Sequence, residues 1–246
     1  MKTKALTLGF AVLLGIAGSQ PARATTLTTY TDQTAFDDIT TVATQTFSFL
    51  QSTIAIGGAA NDYDYVTLNS ATNDGLVSPG NILAGLSISA TQEEISYLGP
   101  DFNGWGNTNY AVLLNLNNAA DGLDFTLDPG VTAFSFGVLS FPGVSNPTVS
   151  VYDSQSLLLG SFVVPGASSS GAGEFFGVTT DGSDTIGSVV LSPSGGNYTG
   201  VDQVQFGQAS GTPEPGSILM FALGLAGLGG MVRLKSRKPT AVPSQV

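Results

Sequence analysis

Between Arg23 and Arg233 the chain has no lysine, arginine or histidine, yet all eighteen of its carboxylates lie in that stretch. A fold built there has no side-chain ion pair available to it. It must be held by apolar burial and backbone hydrogen bonds, with Asp left to turns and surfaces. The seven basic residues sit at the two ends: Lys2, Lys4 and Arg23, then Arg233, Lys235, Arg237 and Lys238. The formal net charge is −11.

Within the acidic stretch the apolar residues come in short bursts separated by Gly, Asn, Asp and Pro. Expected strands are Thr44 to Leu50, Leu86 to Ala90, Ala111 to Leu116, Leu123 to Leu127, Ala133 to Leu139, Thr148 to Tyr152, Leu157 to Val164, Phe175 to Val178, Ile186 to Leu191 and Val201 to Phe206. Several alternate with period two, such as Phe47 and Phe49 against Thr46 and Ser48, or Val149 and Val151 against Thr148 and Ser150. That period marks strands buried on one face. Asn73-Asp74-Gly75, Asp121-Gly122, Asp128-Pro129-Gly130 and Asp181-Gly182 supply turns between them. One short helix is expected, Gln33 to Ile39. The fold class is all-β, an antiparallel β-sandwich, in one exported domain over residues 25–211. There is no cysteine, and a domain of this length buries enough apolar surface to do without disulfides.

The two ends read as membrane addresses. Lys2 and Lys4, then the apolar run Ala5 to Gly18, then Ala22-Arg23-Ala24 have the three parts of a secretory signal peptide over residues 1–24. Ala22 and Ala24 are the small residues that signal peptidase admits, so the mature chain is expected to start at Thr25. The apolar run is shorter than the roughly 20 residues a permanent span requires. At the other end Thr212 to Gly216 breaks the chain, Ser217 to Val232 is apolar and uncharged, and Arg233 to Lys238 is basic. This predicts a short transmembrane helix with its basic end cytoplasmic, followed by a short tail, residues 239–246. Ala222, Ala226 and Gly230 form a small-residue stripe along it.

Pro213-Glu214-Pro215, the glycine-rich apolar helix and the basic end together resemble the PEP-CTERM sorting signal of Gram-negative bacteria, over residues 212–238. The chain departs from that pattern in Thr212, where family members usually carry Val, and in the extension past the basic cluster. The resemblance implies a protein exported across the inner membrane, anchored there transiently and cut near the triplet by an exosortase-type protease. Its destination is then the cell surface or an extracellular matrix. Pro213, Glu214 and Pro215 would be recognised by that protease and do no chemistry themselves. A second stretch, Phe175 to Val178, Ile186 to Leu191 and Gly200 to Gly207, is similar to the closing hairpin of many PEP-CTERM domains. Asp202-Gln203 stands where those have Asp-Asn. This implies a jelly-roll-like sandwich of the lectin or carbohydrate-binding type.

The composition excludes several chemistries. Without His, Cys, Lys or Arg the domain cannot build a Ser-His-Asp triad or hold zinc through imidazole or thiolate. Seventeen carboxylates between residues 25 and 211 repel the phosphates of nucleic acid, whose binding rests on cations. Oxygen ligands suit calcium, and the candidate groups are Asp62 with Asp64, Asp121 with Asp124 and Asp128, and Asp181 with Asp184. None has the EF-hand spacing, and the same residues equally serve turns by accepting from their own backbone.

Asn103, Trp105, Asn107, Asn109 and Tyr110 form a loop whose indole lies between two glycines. Such a loop can stack on a sugar and bond its hydroxyls, or plug a core, as buried aromatics do. Glycoside hydrolysis needs only two carboxylates. Glu93 and Glu94, however, point to opposite faces if they lie on a strand, and nothing in the sequence pairs Glu174 with an Asp.

The expectation is therefore a non-catalytic, exported structural or binding protein. The alternatives are a calcium-dependent carbohydrate-binding module and, behind that, a carboxylate-based glycoside hydrolase. The implied partners are signal peptidase, an exosortase-type protease, the membrane before processing and an exopolysaccharide, with no nucleic acid. With no cations to offset them, the carboxylates of the metal-free fold repel one another, which predicts stabilisation by mild acid.

Overall fold

A computed structural model describes residues 25–62, 67–90, 95–102, 109–114, 122–140, 146–164, 174–182, 184–193 and 199–210. The expected signal segment and the sorting tail lie outside these residues. Among the described residues no helix is long and apolar enough to cross a membrane.

Near the start of the domain, β1 (Leu27–Tyr30) leads into α1 (Gln33–Asp37). Asp32 starts this helix by accepting the Ala35 N–H at 2.9 Å. Its single buried residue, Phe36, packs between the rings of Tyr30 and Phe175, each 5.7 Å away. The chain continues through β2 (Thr40–Gln45), a 3₁₀ turn (Ser48–Ser52), β3 (Ala59–Asp62), β4 (Leu86–Ala90), β5 (Ile95–Leu98), β6 (Ala111–Leu114) and β7 (Leu123–Leu127). It ends through β8 (Ala133–Ser140), β9 (Thr148–Asp153), β10 (Leu158–Val163), β11 (Glu174–Thr180), β12 (Ile186–Ser192) and β13 (Thr199–Ala209).

These strands form two sheets, with antiparallel pairing throughout. The larger runs β1-β11-β8-β13-β6-β5-β3, with β2 also paired to β13; the smaller runs β10-β9-β12-β7-β4. The expected all-β architecture of two antiparallel sheets is observed. Alternation supplies the core: Phe134, Phe136 and Val138 from the larger sheet, Phe125, Val149, Val151 and Val189 from the smaller, all fully buried in one cluster. Phe125 sits 5.5 Å from both Phe134 and Phe136, and Phe136 lies 5.7 Å from Phe176. The aromatic contacts thus span the gap between the sheets.

β13 is the hub of the larger sheet. Its first residues pair with β6, its last six with β2, and β8 runs along its other edge. The register breaks between Asp202 and Gln205, where Gln203 takes a φ of +46°. This bulge hands the strand from one partner to the other. Gly137 lies opposite Asp202, and a Cβ there would stand 1.9 Å from the Asp202 carboxylate. Only glycine leaves room for that side chain.

Three differences from expectation have clear causes. The segment Thr44 to Leu50 is not one strand: β2 ends at Gln45 and a 3₁₀ turn follows. Phe47, which caps that turn, and Leu50 within it are both buried, and their spacing of three suits such a turn better than a strand. The supposed closing hairpin is divided between sheets, because β12 pairs with β7 and β9 while β11 and β13 lie in the larger sheet. β1, β3 and β5 were not expected. β1 and β3 are four-residue edge strands, and β5 is buried at all four positions, so it shows no alternation. The other nine expected segments each fall on a strand.

Candidate functional site

Strand β7 reads Leu-Asp-Phe-Thr-Leu, with Leu123, Phe125 and Leu127 buried and the intervening Asp124 and Thr126 on the opposite face. That face forms part of a cleft of about 330 Å³ whose lining includes Asp124, Thr126, Asp153, Ser154, Ser156 and Ser188. β12 contributes Ser188 from beside Thr126. Asp153, the last residue of β9, and Ser154 and Ser156 in the turn after it supply the rest, and this end of β9 lies close over β12 at Gly187, where a Cβ would come within 2.4 Å of the Asp153 carbonyl oxygen.

The two carboxylates of the cleft differ. Asp153 Oδ1 accepts the backbone N–H groups of Gln155 and Leu157, both at 2.8 Å, and so builds its own turn. Asp124 Oδ1 is buried and has no hydrogen-bond partner. Its burial raises the carboxyl pKa above the ordinary 3.8. A partly desolvated carboxylate beside three serines and a threonine can accept from, and be surrounded by, the hydroxyls or cations of a polar ligand. Among the described residues no group of three or more acidic side chains is arranged to hold a metal ion.

The sequence-expected residues are distributed as follows. Asn103, Trp105 and Asn107 lie outside the described residues, as do Asp64 and Asp121. Asp62 ends β3. Asn109 turns inward, its amide donating to Asp202 Oδ2 at 2.9 Å, and Tyr110 packs against the core. Asp202 is 9% exposed; burial raises its pKa, and the Asn109 amide and the backbone hydrogen bond partly offset this.

Asp124 and Asp128 share β7 and the turn after it, but the cleft takes Asp124 and not Asp128. Asp128 is exposed, near Gly85. Asp181 and Asp184 lie in the turn between β11 and β12 and meet the start of the domain: Asp181 accepts the Thr26 N–H at 3.3 Å and Asp184 accepts the Thr25 hydroxyl. Sequence reasoning missed Asp153, although Asp-Ser-Gln-Ser between two apolar bursts is a recognisable turn. It had no signal for the pairing of Asp153 with Asp124.

Residues 212–235 match the family model described as the PEP-CTERM protein-sorting motif. Among solved structures, the K1 cleaved adhesin domain of Lys-gingipain from Porphyromonas gingivalis W83 is similar at 12% identity and a TM-score of 0.35, over 68% of this chain and 98% of its own. The K2 cleaved adhesin domain of Lys-gingipain is similar at 14% identity and a TM-score of 0.32, over 68% of this chain and 100% of its own. Neither likeness is close enough to carry a functional conclusion. No curated protein matches the chain.

Proposed function

We propose that this chain is an exosortase-sorted bacterial surface protein whose β-sandwich has a non-catalytic structural or binding role. The sorting-motif match at residues 212–235 carries the reading. In it, signal peptidase removes residues 1–24 after Ala22-Arg23-Ala24. The apolar segment Ser217 to Val232 then holds the folded domain at the inner membrane of a Gram-negative cell, and an exosortase-type protease cuts near Pro213-Glu214-Pro215. The domain reaches the cell surface or an exopolysaccharide matrix. A domain without imidazole, thiol, amine or guanidinium fits a scaffold or binding surface better than a catalyst.

Replacing Pro213, Glu214 and Pro215 together by Ala tests the sorting step. The expected result is loss of the protein from the surface and matrix fractions and its accumulation in the inner membrane. Unchanged delivery would overturn the reading.

The cleft around Asp124 favours a second, finer reading, a module that contacts hydroxyl-rich polymer with or without calcium. Calcium at a hundred times its dissociation constant adds about 2.7 kcal/mol to stability, so a melt of the mature protein with calcium and then with chelator measures that part. No shift at millimolar calcium disposes of the ion. Saturable binding to the matrix polysaccharide that is lost in Asp124→Ala assigns the cleft, whereas loss in Trp105→Ala assigns the loop. Release of reducing ends from that polymer would instead mark a glycoside hydrolase.

A further inference from the structure

We infer that the cut which removes the signal segment also completes a contact in the fold: the new α-ammonium of Thr25 is seated against the carboxylates of Asp181 and Asp184. This rests on the export reading above, with cleavage between Ala24 and Thr25. β1 begins with Leu27 opposite Thr180, the last residue of β11, so the two residues before β1 run alongside the turn that follows β11. There Thr26 N–H donates to Asp181 Oδ2 at 3.3 Å, Asp181 N–H donates back to the Thr26 carbonyl at 3.2 Å, and the Thr25 hydroxyl donates to Asp184 Oδ2. The turn is itself braced, since the Thr180 hydroxyl donates to the Asp184 carbonyl at 2.8 Å.

The α-nitrogen of Thr25 is three covalent bonds from the hydroxyl oxygen that reaches Asp184, hence within about 4 Å of that oxygen. In the precursor this nitrogen is a neutral amide. Hydrolysis adds water across the Ala24–Thr25 bond; Ala24 departs as a carboxylate and Thr25 keeps an ammonium with three donors. No Lys, Arg or His lies between Thr25 and Val232, so no side-chain cation of the domain competes for the pair. Asp181 and Asp184 are the carboxylates that bond the residues at this end of the chain, Thr26 and Thr25. The amino terminus is the one cation the domain acquires, and it acquires it only after leaving the cytoplasm. Full stability is thereby tied to export.

The test uses exported protein carrying Lys235→Arg and Lys238→Arg, so that the α-amine is the sole amine whether or not the tail is retained. Intact mass first establishes the terminus. Acetylating the amine is expected to lower Tm by about 2–4 °C at pH 7, and the free amine is expected to titrate above its ordinary value of about 8. Both effects are expected to vanish in Asp181→Asn/Asp184→Asn; if that variant fails to fold, the amine titration in the parent protein decides alone. A chain that begins at Thr25 but shows an unmoved Tm and an ordinary amine pKa overturns this contact and leaves the sorting reading intact. A terminus elsewhere overturns both the contact and the cleavage position.

Discussion

In the larger sheet the buried side chains of Gln45, Ser135, Asp202 and Gln205 each bond a partner, whereas in the smaller sheet the outward carboxylate of Asp124 keeps one buried oxygen without a hydrogen bond. Gln205 lies between Ser135 and Thr44 in register; its Oε1 accepts the Ser135 hydroxyl at 2.7 Å and its amide reaches Asp37 Oδ1 at 3.2 Å. Gln45 is 2% exposed and ties β2 to the loop before β4. Its amide donates to the Thr46 and Asn81 carbonyls at 2.6 and 3.0 Å, and its Oε1 accepts the Leu83 N–H at 2.7 Å. Asp202 has Asn109. In the smaller sheet Asp124 has no such neighbour, and the edge strand β10 leaves Leu158 and Val163 more than half exposed. A chain without cations can satisfy buried polarity with amides and hydroxyls, and at these four residues it does. Asp124, whose buried oxygen finds no such group, lines a cleft, which makes the outer face of the smaller sheet the better candidate for contact with something outside the chain.

The contrast is open to attack by mutation, beginning with the core that both sheets share. Phe136→Ala should remove about 3–5 kcal/mol, read as a fall in the urea midpoint, while Val163→Ser on the exposed edge should stay within about 0.5 kcal/mol. Comparable losses would mean that β10 is covered in solution. Next, Gln45→Leu strips three backbone groups of their partner and should destabilise by about 1–3 kcal/mol. A neutral result would show that water replaces the amide and that the Gln45 bonds add nothing net.

A smaller effect is expected at the bulge. Gly137→Ala should evict the Asp202 carboxylate, and its penalty should shrink in an Asp202→Ala background. Strict additivity would show that the two do not share space.

The gentlest probe is pH. Asp124 and Asp202 both have folded pKa values raised above 3.8 by burial, so the folded state holds protons that the unfolded chain releases. Their contribution is fully present below about 3.8 and is lost as pH rises through the higher folded values. Tm should therefore climb as pH is lowered from 7 toward 4, and Asp124→Asn with Asp202→Asn should flatten the curve. A Tm that falls steadily from pH 7 to pH 5 would show that the burial of these two carboxyls does not govern the pH dependence.

Much of the sandwich was legible because alternation is local: Val149 and Val151, or Phe125 between Asp124 and Thr126, declare their faces within a few residues. β5 was not, since a strand buried on both faces has no period to detect, and Phe47 misled because a spacing of two was read where a spacing of three governs. The site was less legible for a different reason. Asp124 and Asp153 come together only through the stacking of β7, β12 and β9, a long-range register that no local pattern encodes. Asn109 likewise suggested a sugar contact, because nothing in its neighbourhood points to Asp202, which lies far along the chain. The partition of charge, by contrast, needed no structure to be seen, and the placement of Thr25 and Thr26 beside Asp181 and Asp184 gives it a structural meaning.

The most direct test is the intact mass of the protein recovered from the surface or matrix fraction of its own cells. The account predicts a species that begins at Thr25 and lacks the apolar segment Ser217 to Val232. A full-length chain beginning at Met1, recovered from the cytosol, would contradict it.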